Sequence, residues 1–177
     1  MLQNVTIFIT GASRGLGRAL ALHFARTGIR LVLLARTKAK LDDTAHQAEI
    51  RGATVCPILA DLADKNSLVA AAERLQAEKT PLDIIIHNAA DTTSKPFRHT
   101  TLEEIDHLFR TNVTGMLQLT RLVIPDLLRD GKGTVVMISS LAGYKANPSQ
   151  TVYSISKAGV RFAAEALAAE FRTSGIH

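Results

Sequence analysis

Three residues in the stretch SSLAGYKANPSQTVYSISKAG, Ser139 to Gly159, stand at offsets that suit proton transfer: Ser140, Tyr153 and Lys157. Tyr153 and Lys157 are four apart in a segment with helical periodicity, so their side chains share a face and reach one site. An ammonium within a few ångströms favours phenolate over phenol, which equips Tyr153 to give and to take a proton. Ser140 falls at the carboxyl end of a predicted strand, the edge where open α/β sheets bind ligands. There its hydroxyl could hydrogen-bond a carbonyl and steady charge growing on the oxygen. Taken singly, a helical tyrosine is usually packing, a lysine usually solvated and a serine usually part of a turn. Their joint spacing, beside the motif described next, is what points to chemistry.

That motif is TGASRGLG, with glycines at 11, 15 and 17, between a predicted first strand and first helix. Glycine permits positive φ and close approach of the backbone to a ligand, while a helix N-terminus offers free N–H groups to a diphosphate. The spacing differs from both G-x-G-x-x-G and the triphosphatase loop. Its place in the first strand-to-helix turn nevertheless suits a dinucleotide. Beyond the second predicted strand stands Arg36, where an acid would grip the ribose hydroxyls of NAD, and Arg14 lies within the loop. Two cations there favour the 2′-phosphate, and so NADP as cofactor.

The elements that must position these residues alternate from end to end. VTIFIT (Val5 to Thr10), IRLVLLA (Ile29 to Ala35), ATVCPILA (Ala53 to Ala60), LDIIIHN (Leu82 to Asn88) and GTVVMIS (Gly133 to Ser139) read as strands. Their nearly continuous apolar character suits a parallel sheet covered on both faces. Between and after them, RGLGRALALHFART, TKAKLDDTAHQAEIR, KNSLVAAAERLQAEK, the stretch from Leu102 to Arg129 and another from about Gln150 to Arg172 carry the helical period. Thr101 and Glu104 form a candidate capping box, and DGKG and SG close the last two helices. The order predicts one α/β domain over residues 1–177, a Rossmann-like, doubly wound parallel sheet in three α/β/α layers. The final GIH reads as a turn into a sixth strand that the sequence does not continue.

Composition narrows the class further. With 177 residues, 46% of them hydrophobic and 21% charged, the chain can bury a core and is not of the disordered type. Its net charge of +5 is spread among acids, as in RTKAKLDD, without aromatic interleaving, so no nucleic-acid partner is expected. Apolar runs are far shorter than the ~20 residues needed to cross a bilayer. The single cysteine, Cys56, and the absence of a leader pattern fit a reducing cytoplasm, with Cys56 an inert strand thiol. Histidines 23, 46, 87, 99, 107 and 177 lack any metal-ligand spacing, and no metal is expected.

Together, TGASRGLG, HNAA (His87 to Ala90) and the Ser-x12-Tyr-x3-Lys spacing resemble the short-chain dehydrogenase/reductase family along essentially the whole chain. The resemblance implies an oxidoreductase that passes a hydride between NADP(H) and a small carbonyl or alcohol substrate. Asn112, Ser140, Tyr153 and Lys157 would form the catalytic set. Tyr153 would protonate the carbonyl oxygen, Lys157 would assist it and bind the nicotinamide ribose, and Ser140 would bind substrate. Asn112 would hold a water that links Lys157 to solvent. The cofactor would lie against Gly11, Ser13, Arg14, Gly15, Leu16, Gly17, Arg36, Asp61, Leu62, Asn88, Ala89, Tyr153 and Lys157, with Asp61 and Leu62 at the adenine. A homodimer or homotetramer through the last two helices is implied as well. HNAA departs from the family's NNAG by His87 and Ala90, which tightens the space beside the cofactor. Members usually run to about 250 residues. The resemblance therefore implies a domain incomplete at its C-terminus, without the last strands, the proline-glycine turn and the substrate lid. The rival expectation is a fragment that binds cofactor without turning over.

Overall fold

The computed structural model describes residues 4–78 and 81–177. Lys79, the last residue of the third predicted helix, lies outside them. Strands β1 (Val5–Thr10), β2 (Ile29–Ala35), β3 (Thr54–Leu59), β4 (Ile84–His87) and β5 (Thr134–Met137) form one parallel five-stranded sheet in the order β3-β2-β1-β4-β5. The helices are α1 (Gly15–Phe24), α2 (Lys38–Ile50), α3 (Lys65–Ala77), α4 (Leu102–Phe109), α5 (Gly115–Asp130) and α6 (Thr151–Glu170).

Side chains alternate across the strands, and the core divides accordingly. Ile7, Ile9, Leu31, Leu33 and Ile86 face α1 and α2, meeting Ala21, Leu41, Ala45 and Ala48. Phe8, Val32, Leu34, Ile58 and Ile85 face the other way, onto Leu68 and Leu75 of α3 and Leu119, Val123 and Leu127 of α5. Phe171, just beyond α6, joins this second layer. The three-layer arrangement expected from the apolar strands is therefore what forms. Chain order reverses between β1 and β4, and the carboxyl ends of those two strands flank the crevice where such folds take their ligands.

Beyond shifts in the limits of strands and helices, two features differ from the sequence expectation. The stretch from Leu102 is not one uniform helix, because a π-helical segment, Arg110–Thr114, separates α4 from α5. It places Asn112 inside the protein, 2% exposed. The capping box at Thr101 and Glu104 forms as expected, with Glu104 N–H donating to Thr101 Oγ1 at 3.2 Å and Thr101 N–H to Glu104 Oε2 at 2.8 Å. The second difference is at GIH, where Ile176 already bridges Gly133 in parallel register. His177 N–H donates to Gly133 O at 2.9 Å and Val135 N–H to His177 O at 2.7 Å, so these residues lie beside β5 as an isolated bridge.

Candidate active site

At the carboxyl end of β1, Gly11 takes φ +70° and Gly15 takes φ +55°. The glycines serve different ends. A Cβ on Gly17 would come within 2.3 Å of Gly11 O and 2.5 Å of Asn88 Nδ2, so close packing of α1 under the loop demands glycine there. Beside Gly15 a Cβ would meet nothing within 4 Å, and this glycine lines an open cleft. No side chain caps the first turn of α1, whose amides remain free for an anion.

Asn88 fixes the opposite wall. Its backbone N–H and that of Ala89 each donate to Thr10 Oγ1 at 3.1 Å, and its Nδ2 donates to Thr10 O at 3.0 Å. The tips of β1 and β4 are thereby locked side by side. The cleft between them holds about 680 Å³. Of the residues expected to touch cofactor, Gly11, Ser13, Arg14, Gly15, Arg36, Asp61, Leu62, Asn88 and Ala89 line it. Leu16, Gly17, Tyr153 and Lys157 do not; Leu16 is 53% exposed. The size, the uncapped helix and the cations Arg14, Arg36 and Lys40 on its wall fit a dinucleotide with its diphosphate at the loop.

The expected catalytic set lies outside the lining of this cleft but adjoins it. Ser140 ends the chain segment after β5 and caps a short 3₁₀ turn, Leu141–Gly143, by accepting Ala142 N–H at 3.2 Å. Tyr153 and Lys157 both sit on α6, with Lys157 Nζ 6.0 Å from the centre of the Tyr153 ring. Lys157 is buried, and Nζ donates to Ile138 O at 2.7 Å. Burial pushes its ammonium below the usual lysine range. Gly143 presses on the backbone of Lys157 so closely that a Cβ would fall 2.8 Å from its carbonyl, and Ser139 Oγ donates to that same carbonyl at 2.8 Å. The serine segment is thus docked directly onto the helix that carries tyrosine and lysine.

Asn112 connects this region to the cleft. Its Nδ2 donates to Asp91 O at 2.8 Å and lies 3.0 Å from Ser156 Oγ, while its Oδ1 accepts Asp91 N–H at 2.8 Å. Asp91 is a cleft residue that the motifs do not reveal, although it directly follows HNAA. Its carboxylate accepts two bonds from Arg36, at 2.8 and 3.3 Å, and lies 2.9 Å from His107 Nε2. Burial opposes ionisation of Asp91, yet the bonds from His107 and Arg36 outweigh it and hold the carboxyl below its usual range. Thr37, Lys40 and Thr111 also line the cleft unannounced by any motif. For Lys40 a signal existed, the run of cations Arg36, Lys38 and Lys40 that leads into the first turn of α2.

His87 turns away from the cleft. Thr120 Oγ1 donates to Met116 O at 2.8 Å, which leaves its lone pairs to accept from His87 Nε2 at 2.9 Å. The proton therefore sits on Nε2, and Nδ1 is buried without a partner among the described residues. Burial lowers the histidine from 6.5 to about 4.

The family sequence model for short chain dehydrogenases matches residues 5–177. The chain is 33% identical to the ketoacyl reductase HetN of Nostoc sp. over 99% of its own length, and spans 61% of that protein. Among solved structures, a metagenomic short-chain oxidoreductase in complex with NADP superposes with a TM-score of 0.94 at 28% identity, covering 99% of this chain and 80% of that one. An NAD⁺-bound xylitol dehydrogenase shares the fold with a TM-score of 0.93 at 20% identity, covering 99% and 68%. Sequence and architecture agree throughout the described residues, and the chain belongs to the short-chain dehydrogenase family.

Proposed function

We propose that the chain acts as an NADP(H)-dependent oxidoreductase on a carbonyl or alcohol, with Tyr153 as general acid and base. The observation that carries this reading is the buried Lys157, fixed by Ile138 O at 2.7 Å and lying on the helical face it shares with Tyr153. Its ammonium lies 6.0 Å from the centre of the Tyr153 ring, which puts a cation beside the side chain that moves the proton. In the reductive direction the Tyr153 hydroxyl gives its proton to the carbonyl oxygen, and Lys157 steadies the phenolate left behind. Ser140 donates to the same oxygen and polarises it. NADPH, when bound, supplies the hydride. The Asn112 side chain is committed to Asp91 and to Ser156 on α6, and its part is to hold the cleft loop against the helix of Tyr153 and Lys157.

Preference for NADP over NAD is supported by Arg14, Arg36 and Lys40 on one cleft and by the NADP complex of the metagenomic relative. Assembly as a homodimer or homotetramer in the cytoplasm is part of the same reading. Ile155 and Phe162, 53% and 65% exposed and one heptad apart on α6, offer an apolar face for it. Among the described residues no helix is long and apolar enough to cross a membrane.

A second reading is nucleotide binding without turnover. It is favoured by the cleft lining, which comprises the glycine loop and the residues expected at the adenosine and omits Ser140 and Tyr153. Titration of NADPH and NADH by fluorescence, followed by a panel of ketones and aldehydes, separates the two. Oxidation of NADPH by any of the panel supports the enzyme, and saturable binding with no oxidation supports the binder.

A further inference from the structure

Arg36, on which the NADP reading rests in part, is already engaged. Its guanidinium is doubly bonded to the Asp91 carboxylate across the cleft, at 2.8 and 3.3 Å, linking the tip of β2 to the loop after β4. Arg14 and Lys40, the other cations on the wall, form no ion pair among the described residues. The cleft keeps about 680 Å³ with the Arg36–Asp91 pair formed, so the pair lines the space and does not fill it. His107, on α4, gives Asp91 a second partner at 2.9 Å.

We propose that Asp91 is a specificity-determining residue, an internal anion that competes with the cofactor's 2′-phosphate for Arg36. Both are acceptors matched to the guanidinium fork, and Arg36 cannot serve both bidentately. When Arg36 turns to a 2′-phosphate, His107 keeps the part-buried Asp91 carboxylate hydrogen-bonded. NAD, lacking that phosphate, leaves the Arg36–Asp91 pair in place. Asp91 thus trims the advantage of NADP, and the strength of the pair sets how much of the preference appears in binding. Its backbone has a separate task, since the two bonds to Asn112 use Asp91 N–H and O and survive any side-chain change.

The inference rests on the NADP reading, and one set of titrations tests both separately. Dissociation constants for NADPH and NADH are measured by fluorescence for the full chain, Asp91→Asn, Asp91→Ala, Arg36→Ala and the Arg36→Ala/Asp91→Asn pair, with circular dichroism to check folding. Competition predicts that Asp91→Asn and Asp91→Ala tighten NADPH by about three- to fivefold, the range of a partly exposed ion pair. NADH should stay within twofold, and Asp91→Asn should change neither cofactor once Arg36 is absent. Equal tightening of both cofactors would make the pair a general gate and overturn the proposal. Weaker NADH binding would make Asp91 a ribose ligand and do the same. If the parent prefers NADPH through Arg36 but Asp91→Asn is neutral, competition alone fails. If Arg36→Ala leaves both cofactors unchanged, the competition falls, and if the parent binds NADPH no more tightly than NADH, the NADP reading falls with it.

Discussion

Asn112 and Asp91 grip one another twice, the amide side chain accepting from Asp91 N–H and donating to Asp91 O, both at 2.8 Å. This pair ties the π-helical segment to the loop after β4, and so the expected catalytic region to the cofactor cleft. Asn112→Ala would strand both Asp91 groups in a part-buried setting, where an unmet polar group costs about 1–3 kcal/mol. A loss of about 2 kcal/mol is expected, seen as a Tm lower by about 4–8 °C and as weaker NADPH binding.

His87 should shape the acid limb of stability. Its folded value of about 4 lies below the ordinary 6.5, so between those limits the unfolded chain binds the extra proton. The stability held above pH 6.5 is therefore lost as pH falls through the window, by about 3 kcal/mol in total. His87→Asn removes the titration. Urea unfolding of both proteins between pH 4 and 7.5 should show a variant whose stability falls less steeply, by that same amount across the range.

The burial of Lys157 that the proposed role uses comes at the expense of the fold. Burial pushes its ammonium down, and one carbonyl is the hydrogen-bond partner of Nζ among the described residues. Lys157→Met keeps the length of the side chain and removes the buried charge. Its Tm should equal or exceed that of the parent, while carbonyl reduction falls by at least about 10²-fold, the scale of general acid-base assistance.

The glycines should separate by cause. At Gly17 a methyl group meets Gly11 O at 2.3 Å, and displacing backbone costs about 1–3 kcal/mol. Gly17→Ala is expected to lose that stability and to weaken NADPH binding, since α1 must move away from the loop. At Gly15 the space is open and φ +55° is the sole obstacle, so Gly15→Ala should cost about 1–2 kcal/mol. Thermal unfolding and NADPH titration of the two variants check the order.

Much of this was legible in the residue order. The apolar strands, the helical periods and TGASRGLG implied the sheet and its cleft, because parallel strands and strand-to-helix turns leave local signatures. Ser140, Tyr153 and Lys157 could be read together because two share a helix face and the third ends a strand. The Arg36–Asp91 contact could not, since it joins residues 55 apart whose approach depends on the packing of two loops. The π-helical segment escaped because one wider turn scarcely disturbs an apolar period. β5 is shorter than GTVVMIS suggested, pairing with β4 over Thr134–Met137 because β4 itself ends at His87. The outward turn of Leu16 and the inward one of His87 likewise reflect packing that no local pattern records.

The central claim is proton transfer by Tyr153 beside a bound cofactor, and Tyr153→Phe tests it most directly. NADPH affinity and carbonyl-dependent NADPH oxidation are measured for the parent and the variant under the same conditions. Affinity should stay within about threefold, while turnover drops by about 10²–10⁴-fold, as removal of a general acid requires. A variant that oxidises NADPH as fast as the parent, or a parent that binds NADPH and reduces no carbonyl, would contradict the account.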